Sequence, residues 1–148
     1  MKRIFSILVC ALILCSCSGG LPEQAMDFVG QYNAKLTTDT PVALTFWSTD
    51  VFKTDEISAN IDLQLRDFGP DPTKARFEIL GAKTYKTWVF SGTIFKDVVE
   101  VETKVVVPSI PQKGDLIQNQ TRVFRQLTYV ISVEGSLKIL ESQMREMK

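Results

Sequence analysis

The sequence predicts an α+β domain in which N-terminal helices pack on an antiparallel sheet. From Leu21 to about residue 70, apolar residues recur at three- and four-residue steps, the spacing of one helix face. After Asp71-Pro72 they alternate with polar residues, the spacing of half-buried strands. Gly69-Pro70 stands at the junction, where neither a helix nor a central strand continues easily.

The first helix is opened by Pro22-Glu23, a proline tolerated in a first turn and an acid near the positive end of the helix dipole. Ala25, Phe28, Val29, Tyr32 and Leu36 then form one stripe, and Thr37-Thr38-Asp39-Thr40 interrupts it. Thr40 is placed to cap a second helix over Pro41–Phe52, with Val42, Ala43, Phe46 and Trp47 on its apolar face. The third segment is ambiguous: Ile57, Ile61, Leu65 and Phe68 fit a helix, while Ile57, Ala59, Ile61, Leu63 and Leu65 also alternate. Thr54 as cap, Asp55-Glu56 in the first turn and Gly69-Pro70 as the stop favour the helix. Among the strands, one begins near Tyr85 and carries Trp88, Val89 and Phe90. A second sets Val99, Val101, Thr103, Val105 and Val107 on one face. A third sets Val123, Leu127, Tyr129, Ile131 and Val133 together, and Glu134-Gly135 turns the chain into a last strand at Leu137-Lys138-Ile139. Residues 108–119 read as the long loop between strands and as a partner-binding feature or a plain connection. Antiparallel strands with one wet face suit this alternation, and helices cover the dry one.

Composition narrows the chemistry. The chain has 148 residues, with seventeen basic and seventeen acidic side chains. Without Lys2 and Arg3 the balance is fifteen against seventeen, a net of about −2. Nothing there draws the chain to nucleic acid, whose phosphates require a basic stripe. Histidine is absent altogether, which removes Ser-His-Asp and Cys-His nucleophile systems and imidazole metal sites. The three cysteines are Cys10, Cys15 and Cys17. No cofactor or metal is expected.

Those cysteines lie in or just after an export leader. Lys2-Arg3 is a short positive region, and Ile4–Leu14 is an apolar run broken only by Ser6, too short to span a bilayer. Leu14-Cys15-Ser16-Cys17 follows and resembles the lipobox of bacterial lipoproteins. The resemblance implies cleavage between Ser16 and Cys17, acylation of Cys17, and a mature chain holding no other sulfhydryl. Cutting before Cys15 instead would set the bulky Leu14 where that peptidase accepts small residues. An ordinary secretory signal with Cys17 as a free thiol is the plainer alternative. On the lipoprotein reading, residues 1–16 are signal, 17–20 a short lipidated tether, and 21–148 the domain. Serine at position 18, by resemblance to enterobacterial sorting, implies the periplasmic face of the outer membrane.

Helices followed by long antiparallel strands resemble the NTF2-like (cystatin-superfamily cone) fold. The resemblance is carried by Pro22–Leu36, Pro41–Phe52 and the closing pair VFRQLTYVISVEGSLKILES at 123–142. It implies helices packed on a curved sheet with a pocket between them, in a family whose members include isomerases, dehydratases and hydrolases. The nearest residues to such catalytic acids and tyrosines are Tyr32 and Asp50, with Asp55 or Glu56 beyond. Each also has an ordinary reading. Tyr32 shares a stripe with Phe28 and Leu36; Asp50 follows Ser48-Thr49 in a turn; Asp55 and Glu56 suit a helix N-terminus. Phe46, Trp47 and Trp88, with Phe52 and Phe90 near them, line a pocket if the cone is open and fill the core if it is closed. Arg76, Lys83 and Lys86 are placed either to meet phospholipid headgroups or to form a solvated face. The expected function is therefore non-catalytic: a bilayer-anchored envelope module binding another envelope protein or a second copy. The alternative is a pocket for a small apolar ligand, or an enzyme using Tyr32 and Asp50.

Overall fold

Among the described residues, three helices precede four strands. Helix α1 spans Leu21–Thr38, α2 Thr40–Leu44 and α3 Thr54–Asp67, and a 3-10 turn at Pro72–Lys74 leads into the sheet. The strands are β1 (Arg76–Phe90), β2 (Thr93–Pro108), β3 (Thr121–Val133) and β4 (Ser136–Glu146), paired antiparallel in that order in a curved, unclosed sheet. These elements come from a computed structural model describing residues 20–108 and 121–148. The leader with Ser16, Cys17 and residues 109–119 of the expected loop lie outside the described residues.

The helix ends follow local chemistry. The Asp39 carboxylate accepts from the Val42 amide at 3.3 Å, so Asp39, not Thr40, caps α2. Lys53, not Thr54, precedes the first turn of α3, and Glu56 reaches back to accept from its amide at 2.9 Å. Gly69, with φ of 78°, ends α3 in the left-handed conformation that favours glycine. Helix α2 is much shorter than the sequence pattern predicts, because the backbone after Leu44 is claimed by the sheet. Ile139 donates to the Phe46 carbonyl at 2.7 Å, and its own carbonyl accepts from the Ser48 amide at 2.9 Å. Those two bonds hold Trp47 beside β4 as an isolated parallel bridge.

Strand β1 begins at Arg76, nine residues before the expected start near Tyr85. A register shift between Ile79 and Gly81 interrupts the alternation and hides the early half from a period-two reading. Two hairpin turns carry successive left-handed residues, Ser91-Gly92 (φ 49° and 78°) and Glu134-Gly135 (φ 50° and 80°). Tight hairpins need that geometry because it matches the strand twist.

Both faces of the sheet are covered over part of its length. On one face, Tyr32, Leu36, Ile57, Ile61 and Phe68 of α1 and α3 pack with Val105, Val107 and Phe124, while Ala25 and Val29 pack on Val99, Val101 and Val130. The expected β2 set (Val99, Val101, Thr103, Val105, Val107) is buried there as a unit. The expected β3 set shares a face too, but the opposite one. Toward the helices β3 presents Phe124, Gln126, Thr128 and Val130, and toward the other side Leu127, Tyr129, Ile131 and Val133. What covers that second face is the hairpin of β1 and β2. Residues 93–98 pair with β1 alone, since β2 meets β3 only from Val99 onward. At Asp97, with φ of 51°, the hairpin leaves the sheet as an arm. Its Trp88, Phe90 and Phe95 pack on Tyr129, Ile131, Leu140 and Val98. Hence the neighbours Val98 and Val99, Tyr129 and Val130, Ile139 and Leu140 are all buried, one of each pair on either face. Leu140 reaches its face through the register shift opposite Tyr129 and Val130. Beyond the arm the same outer face is charged, with Arg125 on Glu102 (2.7 Å) and Lys104 near Glu78 (3.8 Å).

Candidate functional site

Two regions gather the residues singled out from the sequence. The first lies between the helices and the sheet. Tyr32 is fully buried on α1, and its ring meets Phe46 at 5.9 Å and Trp47 at 6.3 Å. Around them sits a polar cluster on otherwise apolar elements. Gln64 occupies the buried stripe of α3 between Ile61 and Phe68, and Gln126 the buried stripe of β3 between Phe124 and Thr128. Gln126 Nε2 donates to Gln64 Oε1 at 3.1 Å, and Gln64 Nε2 donates to Asn60 Oδ1 at 2.7 Å. Thr128 and Ser142 share a hydroxyl contact of 3.2 Å, and Asn60 donates to the Ser142 carbonyl at 3.4 Å.

Several buried polar atoms of this cluster have no hydrogen-bond partner among the described residues: the Tyr32 hydroxyl, Trp47 Nε1, Thr103 Oγ1 and Gln126 Oε1. The Trp47 indole and the Gln64 amide face the Tyr32 hydroxyl without reaching hydrogen-bonding geometry. Burial pushes the Tyr32 phenol up, so it stays protonated throughout the neutral range. A protonated phenol beside neutral amides can donate or accept a hydrogen bond but supplies no base. Asp50, its expected carboxylate partner, is exposed, and Asp55 and Glu56 are exposed at the start of α3. The structure thus joins Tyr32 with Phe46 and Trp47 and leaves the acids outside.

Trp88 belongs to the second region, on the other side of the sheet. It stacks on Tyr129 with centroids 4.7 Å apart and touches Tyr85 at 4.9 Å. Tyr85 donates to Glu100 Oε2 at 3.2 Å, and burial, followed by the Glu100 carboxylate, raises the Tyr129 phenol. Phe46, Trp47 and Trp88 therefore do not line one pocket. The two regions connect round the β4 edge through Phe52, whose ring meets Trp47 at 6.3 Å and Phe90 at 5.5 Å.

Arg76, Lys83 and Lys86 are exposed on β1, and Lys86 pairs with Asp97 at 3.1 Å beside the bend of the arm. Strand β1 is bonded only to β2, so among the described residues its outer edge is unpaired along the strand. That edge and the Gln64–Gln126 pair were missed in the sequence. The pair has a signal in retrospect: both glutamines fall where the helix and strand periods place apolar residues.

Among the described residues, no group of three or more metal-binding side chains stands together, and no helix is long and apolar enough to cross a membrane. Compared with family models, curated proteins and solved structures, the chain matches none.

Proposed function

We propose that this chain is a lipid-anchored, non-catalytic module of a bacterial envelope that binds another envelope protein, or a second copy, through the outer edge of β1. The observation carrying this reading is the fifteen-residue strand that, among the described residues, is bonded on one side only. Such an edge presents a row of amides and carbonyls that an incoming strand can complete. The opposite edge of the sheet is less open, because residues 46–48 and α3 already occupy β4 at Ile139 and Ser142. Lys83, Lys86 and the irregularity at Leu80 blunt the β1 edge against indiscriminate strand addition, so a partner has to match both. The ring contacts of Tyr32 with Phe46 and Trp47 between helices and sheet, and the exposure of Asp50, support binding at the surface. The anchor and outer-membrane address rest on the lipobox at Leu14–Cys17 and on Ser18, and the helix-before-strand order keeps the NTF2-like resemblance within this reading.

The test is site-specific photocrosslinking in intact cells from Thr84 and Thr87 on the β1 edge, with Asp62 on α3 as control. Discrete adducts from the edge positions and none from Asp62 are expected. Equal background from all three would reject the edge as the docking site. Metabolic fatty-acid labelling of wild type against Cys17→Ala tests the anchor separately: label is expected only in wild type, and equal labelling would reject Cys17.

The orphaned Tyr32 hydroxyl, Trp47 Nε1 and Gln126 Oε1 favour a second reading, a buried site for a small ligand with polar groups. It would not use Asp50, which is exposed.

A further inference from the structure

The most exposed large apolar side chains among the described residues are Val89 and Ile94, at 66% and 65%. They are direct cross-strand partners at the tip of the β1–β2 arm, one residue from the Ser91-Gly92 turn on either side. Their neighbours Trp88, Phe90 and Phe95 pack inward and fix the arm on the sheet, so Val89 and Ile94 are held outward as a pair. Two exposed branched side chains on a braced hairpin cost solubility unless something covers them.

Position identifies the cover. Helix α1 starts at Leu21 and packs its first turns on Val99, Val101 and Val130, the level at which the arm leaves the sheet. The domain therefore begins at the same end of the sheet from which the arm projects. Only two residues, Ser18 and Gly19, lie between Cys17 and Gly20, so the three residue steps span at most about 11 Å. An acyl chain on Cys17 would consequently bring this end against the bilayer. Charge agrees at Lys96, which is exposed two residues after Ile94 on the same face of the arm, while Lys86 is paired with Asp97 and Lys83 lies over the Tyr85 ring.

We infer that the tip of the arm is a second membrane contact, with Val89 and Ile94 entering the headgroup region of the bilayer that holds Cys17, and with Lys96, on the same face of the arm, meeting its anionic lipids. The inference rests on the anchor reading above. A weak contact suffices, because the anchor holds the tip at high effective concentration beside the lipid. With anchor and tip both engaged, the domain has a fixed orientation instead of swivelling on its tether.

The mature lipidated chain has no free thiol on this reading, so one introduced cysteine takes one label. An environment-sensitive fluorophore on Ser91→Cys or Leu63→Cys is compared in vesicles of phosphatidylethanolamine and phosphatidylglycerol containing brominated lipid. Quenching and a blue shift are expected at position 91 and not at position 63, and adding Val89→Ser and Ile94→Ser should remove them. Equal signals at 91 and 63 would overturn the inference, as would a shift at 91 that follows protein density instead of lipid bromination, which would indicate contact between copies. Failure of the anchor reading is read separately, as absent fatty-acid labelling. In that event, the Cys17→Ser chain is co-sedimented with the same vesicles. Binding at least about tenfold weaker for the Val89→Ser/Ile94→Ser variant would uphold the tip contact, and equal binding would overturn it.

Discussion

Replacing Trp47 by alanine is expected to lower the unfolding free energy by about 3–5 kcal/mol, the usual cost of emptying a buried indole site. Trp47 is 2% exposed and touches Tyr32 and Phe52 edge-on. Its Nε1 has no hydrogen-bond partner among the described residues, so the loss is one of packing. The collapse is resisted because Phe46 and Ser48 on either side are pinned to Ile139 by two backbone bonds. Since a domain of this size is stable by only about 5–15 kcal/mol, the variant should unfold at markedly lower denaturant concentration and accumulate poorly. The effect should also travel. Trp47 supports Phe52, and Phe52 supports Phe90 of the arm. The chain has two tryptophans, so Trp47→Ala leaves Trp88 as the single indole reporter. Its emission should shift to the red as the arm loosens from Tyr129 and Leu140. A stability loss below about 1 kcal/mol would show that the site repacks and that this residue does not link core to arm.

The elements built on local pattern were readable, and those built on distant contacts were not. The stripe Ala25, Val29, Tyr32 and Leu36 gave α1, and the Val99–Val107 alternation gave the buried face of β2. The third segment is a helix and not a strand, and Asp55-Glu56 and Gly69 mark its two ends through local geometry. By contrast, the apolar face of Phe46 and Trp47 suggested a helix to residue 52, although their backbone is used by Ile139, some ninety residues onward. The β3 alternation gave the right partners for Tyr129 but could not say which face the helices take, because the arm makes the other face apolar too. Nothing local marks Asp97 as the bend: an aspartate in a left-handed conformation inside a strand is a tertiary outcome. As for the site, Tyr32 and Trp47 were found and do meet. The expected Asp50 did not join them, since it sits on the exposed side of the turn after Trp47.

The Gln64–Gln126 pair separates a structural role for the buried polar cluster from a ligand-binding one. Each side chain is at most 3% exposed, and Gln64 bridges Gln126 and Asn60. Gln64→Leu alone would leave Gln126 Nε2 without that partner inside the core and Asn60 Oδ1 without it at a half-buried position, at a cost of about 2–3 kcal/mol. Gln126→Leu alone should cost less, about 1–2 kcal/mol, because Gln126 Oε1 is already unpartnered and only Gln64 Oε1 is newly orphaned. The double variant replaces both amides with apolar groups of similar volume, and it should recover most of the combined loss, giving a coupling of at least about 1 kcal/mol in denaturant unfolding. Additive losses would mean that the two amides do not rely on each other. Recovery also yields a stable protein without the two buried amides at the centre of the cluster. If that protein keeps its β1-edge adducts in cells, the cluster serves the fold, and binding lies on the surface. If it stays folded and loses them, the interior polar groups belong to the binding function, and the edge alone does not account for it.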